Sequence, residues 1–336
     1  MARGVMSRPP WAPRWLKGFR LLARSCTLAS LPALLLSCGT PSANVGKDTS
    51  GPGQRLRVIA TFLPITLLTR AVAGDCADVT TLVPPSLGPH DFQANPGDLL
   101  ALRRARVLVK NGLGMEGFLD KLIAAAAPPQ LLVIDSSRGV ATLTTPPKSH
   151  QQSGDDHGHD HGNVNPHIWL DPVRAAQQVE TIRDGLVKAD PGCAEGYRQR
   201  AATTTAQLRQ LHSEFAAQLQ PFQGKTFVAF HDVAPYFAAR YGLKAVFLVD
   251  VPELNPTPAD LERVSAEVKR SDLKALLSEP QEGERSFNAL AGDLGVPISV
   301  FDPLETGSEA AAKDPDTYAR VMRRNVAHLI QAFGGR

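Results

Sequence analysis

Nine histidines are the residues of this 336-residue chain with the most chemistry to offer, and position sorts them into groups. His212 and His328 fall inside helical patterns and read as solvated or locally satisfied side chains, with no role assigned. His150, His157, His159 and His161 crowd into one polar stretch. His90, His167 and His231 stand apart. His90 lies in Gly88-Pro89-His90-Asp91-Phe92, after the apolar run VTTLV, and His231 directly follows TFVAF. Asp302 directly follows PISVF, and His167 comes just after the histidine-rich stretch and before a helical pattern. Imidazole nitrogen suits zinc, copper, nickel and iron, whereas carboxylate oxygen suits harder ions. Three nitrogens and one oxygen make a tetrahedral zinc site with metal–ligand distances of about 2.0–2.2 Å. One such histidine alone is more often a satisfied structural residue; four candidates at equivalent places carry more weight.

The elements that must position them alternate. Residues 56–61, 79–83, 106–110 and 131–135 are short apolar runs that read as buried parallel strands. Residues 64–73, 95–105 and 117–127 between them read as helices, the second opening on Asn95-Pro96 as cap and first helical residue. A helix ending near Lys188 and a long one over 194–219 follow. A second alternating region has strands at 226–230, 244–249, 275–278 and 297–301, and helices at 235–241, 258–270, 284–294 and 314–333. Strands alternating with helices imply βαβ units and parallel sheets. The expected fold is therefore α/β: two lobes, each a roughly four-stranded parallel sheet flanked by helices, joined by one long helix. In open sheets of this kind ligands bind beyond the carboxyl ends of the strands. His90, His167, His231 and Asp302 fall there, so the interlobe cleft would gather all four.

The first 54 residues bear on location. Residues 1–37 hold Arg3, Arg8, Arg14, Lys17, Arg20 and Arg24 and no acid, followed by the mostly apolar SCTLASLPALLLS. That run fits a signal peptide better than a permanent membrane span, and Met6 is an alternative start. Leu35-Leu36-Ser37-Cys38 looks like a bacterial lipobox, with Cys38 as the acylated residue of the mature chain, and residues 38–54 read as a flexible tether. The formal charge of +3 becomes −3 once residues 1–37 are removed. No basic stripe interleaved with aromatics appears, which argues against a nucleic-acid surface. The folded parts are then an N-terminal lobe over 55–190 with a polar His-rich loop at 142–165, a linker helix over 191–220 and a C-terminal lobe over 221–336. Alternating His and Asp in that loop offer several weak, exchangeable metal contacts.

Longer motifs give a specific resemblance. SLGPHDFQANPGDLLALRRARVLVKNGLGMEGFLDKL, NPHIWLDP, FHDVAPYFAARYGL, SEPQ and VFDPL occur in this order. Together they resemble the zinc- and manganese-binding solute-binding proteins of ABC transporters, the cluster A-I metal-binding lipoproteins, over about residues 55–335. The resemblance implies metal contact for His90, His167, His231 and Asp302. It implies zinc as the cargo, because the third position is histidine, and a transport component rather than an enzyme, expected as a monomer. It places Glu279 near the cleft, where it would orient a ligand histidine or serve in a plain salt bridge. It gives the loop histidines 150, 157, 159 and 161 a role in capture, delivery or sensing, and makes the long helix a stiff linker that favours local loop ordering over lobe swinging. It also brings Cys76 and Cys193 to the lower edge of one lobe, where in an oxidising compartment they either form a disulfide or remain two thiols. The implied partners are an ABC permease in the cytoplasmic membrane and, as a further candidate, a periplasmic metallochaperone. Manganese or iron as cargo is the alternative within this class. An exported zinc hydrolase and a surface adhesin are alternatives from other classes; no HExxH is present.

Overall fold

The computed structural model describes residues 55–335 apart from 129, 145–163, 251, 253–254, 272 and 281–284. The export segment, the tether with Cys38, and His150, His157, His159 and His161 lie outside the described residues.

The first sheet contains β1 (Leu56–Ala60), β2 (Ala77–Thr81), β3 (Val107–Lys110) and β4 (Leu132–Asp135), all parallel, in the order β2-β1-β3-β4. Its helices are α1 (Leu63–Ala73), α2 (Pro96–Arg104), α3 (Leu119–Ala126) and α4 (Pro172–Ala189). After α5 (Ala194–Leu219) a second sheet repeats the plan with β5 (Thr226–His231), β6 (Lys244–Val249), β7 (Leu276–Ser278) and β8 (Ile298–Val300), ordered β6-β5-β7-β8. Helices α6 (Pro235–Tyr241), α7 (Pro258–Ser271), α8 (Arg285–Leu294), α9 (Glu309–Lys313) and α10 (Thr317–Ala332) accompany it. The shared order puts a topological switch point between β1 and β3 and another between β5 and β7, where the connections depart to opposite faces and leave a crevice.

Three boundaries differ from the sequence reading. β2 starts at Ala77 rather than 79, because the ladder begins where Leu56 meets Ala77 and Arg57 meets Asp78. As an edge strand it tolerates exposed Asp78, which apolar-run reading passes over. α3 begins only at Leu119. The expected last helix, α10, begins at Thr317 rather than 314, and a short helix that was not expected, α9, precedes it: Ser308 caps its start, accepting from Ala311 N at 3.0 Å, and Asp314-Pro315 ends it.

Helix α5, 26 residues and about 39 Å long, packs against α1 and α4 on one side and α10 on the other. Buried Tyr197, Ala201, Thr205, Leu208, Leu211, Phe215 and Leu219 recur at helical spacing and form its inward stripe. Cys76 and Cys193 are joined by a disulfide, tying the turn after α1 to the turn before α5. Beside it, Arg200 donates to Val72 O and Ala73 O, both at 2.8 Å, and so caps the last carbonyls of α1. Arg70 reaches from α1 to Val79 O on β2 at 3.0 Å and to Ala312 O on α9.

The lobes are also stitched together directly. Trp169 Nε1 donates to Pro303 O at 2.8 Å, and Tyr318 OH donates to Trp169 O at 2.6 Å. Asp171 is fully buried at the start of α4, where it caps Val173 N at 2.9 Å. Its carboxylate accepts from Arg174 at 2.5 Å and from Arg240 of α6 at 2.8 Å. Within the first lobe Phe62 packs edge-on against Trp169 with ring centroids 5.2 Å apart, and a single apolar cluster runs through both lobes.

Candidate metal centre

Local sequence explains how each candidate side chain reaches the cleft. His90 sits on the loop between β2 and α2. That loop is anchored by a capping box at the start of α2: Asn95 Oδ1 accepts from Gly97 N at 2.8 Å, and Asp98 Oδ2 from Asn95 N at 2.8 Å. His167 lies between Asn165-Pro166 and a short 3-10 turn over Ile168–Leu170 that leads into α4. His231 is the last residue of β5. In the β5–β7 register Ala229 faces Leu277, so two residues on His231 faces Glu279.

Their ligand atoms converge. One ligand atom from each of His90, His167, His231 and Glu305 lies within 4.8 Å of all the others. The four residues are 4%, 2%, 0% and 1% exposed, so water screens little of what they do to one another. Glu305 Oε1 lies 3.0 Å from His167 Nε2, 3.5 Å from His90 Nε2 and 3.7 Å from His231 Nε2. Tetrahedral zinc with ligands at about 2.0–2.2 Å requires ligand atoms about 3.3–3.6 Å apart. The three distances from Glu305, 3.0 to 3.7 Å, bracket that requirement. His231 Nε2 is buried and only weakly satisfied, with Glu305 Oε1 3.7 Å away, a costly condition for a ring nitrogen that a bound metal would relieve.

The carboxylate in this cluster is Glu305, where the sequence reading expected Asp302. The reason is a turn. Asp302 Oδ1 accepts from Leu304 N at 2.8 Å, while Asn325 holds the backbone of Asp302 from both sides, at 2.8 and 2.7 Å. Leu304 takes a left-handed conformation with φ 62°, which reverses the chain and turns Glu305 toward the histidines. Gly307 N then bonds Pro85 O at 2.6 Å, joining this loop to the one that carries His90. Asp302 Oδ2 instead approaches Arg324 at 3.4 Å. Nothing in the pattern VFDPLET separates Glu305 from an ordinary loop acid, so sequence reasoning passed over it.

Glu279, which the sequence reading placed near the cleft, meets His231. Its carboxylate accepts from His231 Nδ1 at 2.6 Å and from His231 N at 3.0 Å. That contact puts a hydrogen on Nδ1 and turns Nε2 toward the cluster. Burial alone would lower the pKa of His231, but the negative charges of Glu279 and Glu305 and their hydrogen bonds overcome it and raise it to about 10. For His167 burial prevails over Glu305, and its pKa falls to about 4. Burial opposes ionisation of Glu305, yet attraction to His90 and His231 and hydrogen bonds from His167 and His231 hold it well below the usual carboxylate range. Asp302 moves the other way: burial raises it, with the charges of Glu279 and Glu305 adding to the rise against Leu304 N and Arg324.

Beneath His167 lies a polar support that the sequence reading also passed over. Glu116 accepts from Thr61 Oγ1 at 2.7 Å, Asn111 N at 2.7 Å and Gly112 N at 3.0 Å. It thereby holds a turn in which Gly112, Leu113 and Gly114 all have positive φ. Asn111 Nδ2 donates in turn to Pro166 O at 3.0 Å. His212 and His328 keep their bland roles, the first 3.4 Å from Tyr241 OH and the second 2.7 Å from Val300 O.

A family described as the periplasmic zinc-uptake complex component A (ZnuA) matches residues 58–332. The chain is similar to the zinc-binding lipoprotein AdcA of Streptococcus pneumoniae (strain ATCC BAA-255 / R6), at 31% identity over 312 residues, 91% of this chain and 60% of that protein. It therefore spans about 60% of the length of that relative. It is also similar to the high-affinity zinc uptake system protein ZnuA of Bacillus subtilis (strain 168), at 27% identity over 303 residues, 90% of this chain and 94% of that one. Among solved structures, the Zn(II)-bound ZnuA-like domain of S. pneumoniae AdcA matches with a TM-score of 0.69 and 29% identity, covering 83% of this chain and 99% of that chain.

Proposed function

Since the chain belongs to the ZnuA family of zinc-uptake components, we propose that it captures zinc outside the cytoplasm and passes it to an ABC permease in the cytoplasmic membrane. The observation that carries the reading is the buried convergence of three imidazole nitrogens and one carboxylate oxygen within 4.8 Å. His90, His167 and His231 supply borderline-soft nitrogen, which favours zinc over manganese, an ion better suited by oxygen. Glu305 completes the shell. Asp302, tied to Leu304 and Arg324, shapes the turn that presents Glu305. Glu279 orients His231. Family membership in transport also takes the chain away from the exported-hydrolase reading.

The relatives' names extend the proposal. AdcA is called a lipoprotein, and Cys38 in its lipobox is the residue that would carry the anchor here. No helix among the described residues is long and apolar enough to cross a membrane. The histidines at 150, 157, 159 and 161 would act as an auxiliary, weaker metal-collecting segment. A periplasmic metallochaperone is a further candidate partner.

The test is zinc stoichiometry and affinity by competition titration on metal-stripped protein, beside a panel of manganese and ferrous iron. One tight zinc is expected, lost in His231→Ala. Glu305→Gln should weaken it more than Asp302→Asn. Tight zinc that survives His231→Ala would move the site elsewhere, a larger loss in Asp302→Asn would return the fourth position to Asp302, and a preference for manganese would change the cargo.

A further inference from the structure

We propose that Asn165 is a positioning residue that sets the ring of His167 in the tautomer able to take zinc, an inference that rests on His167 being a ligand. A neutral imidazole binds metal only through the nitrogen that lacks a hydrogen, and the partner of the other nitrogen decides which one that is. His167 Nε2 faces the cluster, and His167 Nδ1 lies 3.0 Å from Asn165 Oδ1.

The amide of Asn165 is oriented by contacts that do not involve the ring. Its Oδ1 accepts the backbone N–H of His167 at 3.0 Å. Its Nδ2 donates to Asp232 O at 2.7 Å and to Asp232 Oδ2 at 3.1 Å. A flipped amide would set Oδ1 against two oxygens and its NH₂ against an N–H. Three contacts thus make the atom facing Nδ1 an acceptor, which requires a hydrogen on Nδ1 and leaves the Nε2 lone pair directed at the cluster.

Glu305 pulls the other way. In the metal-free site a carboxylate oxygen 3.0 Å from Nε2 favours a hydrogen there, the tautomer that cannot take zinc. Asn165 is the counterweight, and at 3% exposure it is not diluted by water. Its backbone is held as well: Tyr236 OH donates to Asn165 O at 2.7 Å, and Asn111 supports the next carbonyl, Pro166 O, at 3.0 Å. Asp232 immediately follows His231. One side chain therefore joins the loop of one ligand to the loop of another, across the lobes. Glu279 does for His231 what Asn165 does for His167, with a charge in place of an amide.

The experiment compares the unaltered chain with Asn165→Ala, Asn165→Asp and His167→Ala. Zinc is titrated by competition, and ¹⁵N spectra of labelled histidine rings are recorded without metal, the His167 signals being assigned by their loss in His167→Ala. Alanine should weaken zinc about 10–100-fold and shift the metal-free His167 ring toward the Nε2–H form. Aspartate keeps an acceptor at Nδ1 but sets its second oxygen against Asp232 O and Oδ2, so it should hold the Nδ1–H form and still bind tighter than alanine; the ring state of whichever variant folds keeps the inference testable. Unchanged affinity and an unchanged ring in Asn165→Ala would overturn the inference. Equal losses in alanine and aspartate would overturn it too, by assigning the effect to the bond with Asp232. Tight zinc retained in His167→Ala would refute the ligand assignment beneath it, a result distinct from either.

Discussion

Zinc affinity should climb at least about tenfold per pH unit between about pH 6 and pH 9, because His231 must give up a proton to bind. Its ring is raised to about 10 despite burial, through Glu279 and Glu305. Below that value the proton stays on the ring and competes with the metal for Nε2. Zinc binding therefore weakens as pH falls and stops gaining once pH passes the raised pKa. At neutral pH a pKa of about 10 corresponds to competition of about a thousandfold, or about 4 kcal/mol. His167, lowered to about 4, is neutral throughout this window and adds no second proton to the slope. The assay is a chelator competition at several pH values, corrected for the chelator's own protonation, with calorimetry in buffers of different ionisation enthalpy to count protons released. Glu279→Gln is the control. It keeps an acceptor for Nδ1 but removes the larger of the two charges that hold the proton, leaving Glu305, so the slope should flatten at a lower pH than in the unaltered chain. Affinity independent of pH over the whole window, or the same slope in Glu279→Gln, would refute the reasoning.

Two stability predictions follow from the frame. Replacing Cys76 and Cys193 together by serine releases a loop of 117 residues and should cost about 2–5 kcal/mol, read by urea unfolding, while zinc stoichiometry stays at one because the bond lies away from the site. Arg240→Ala should cost about 2–3 kcal/mol by the same measurement, less than complete loss of a buried pair, since Arg174 still reaches Asp171; an unchanged midpoint would mean the ion pair adds nothing to lobe association.

The architecture was largely legible because parallel strands buried on both faces write themselves as short apolar runs, and Val107–Lys110 or Thr226–His231 can hardly be read otherwise. The three histidines were legible for a related reason. Each lies where a strand or loop ends at the crevice, and position alone brought them together. The fourth position was not. Whether Asp302 or Glu305 faces the three histidines depends on one left-handed residue, Leu304, and on a side-chain bond from Asp302 to its own turn. Leucine gives no forewarning of positive φ, unlike glycine. Asn165 was hidden likewise: in the string NPHIW it looks like a turn residue, and its partner Asp232 is 67 positions away. The pairing of Cys76 with Cys193 rested on the family plan, since chain spacing alone does not choose a connectivity.

The stitching of the lobes has a consequence for how an empty molecule differs from a loaded one. Trp169, Tyr318, Asp171 and Arg240 hold the halves together by buried bonds that do not involve the cluster. Each contributes on the order of 1 kcal/mol or more, and parting the halves would break them together. Loaded and empty protein should then cast nearly the same silhouette, with superimposable scattering curves. A membrane receptor choosing between them would have to read the set of a few loops and the charge beneath them, and emptying the protein would mean prying at a rim rather than opening a jaw.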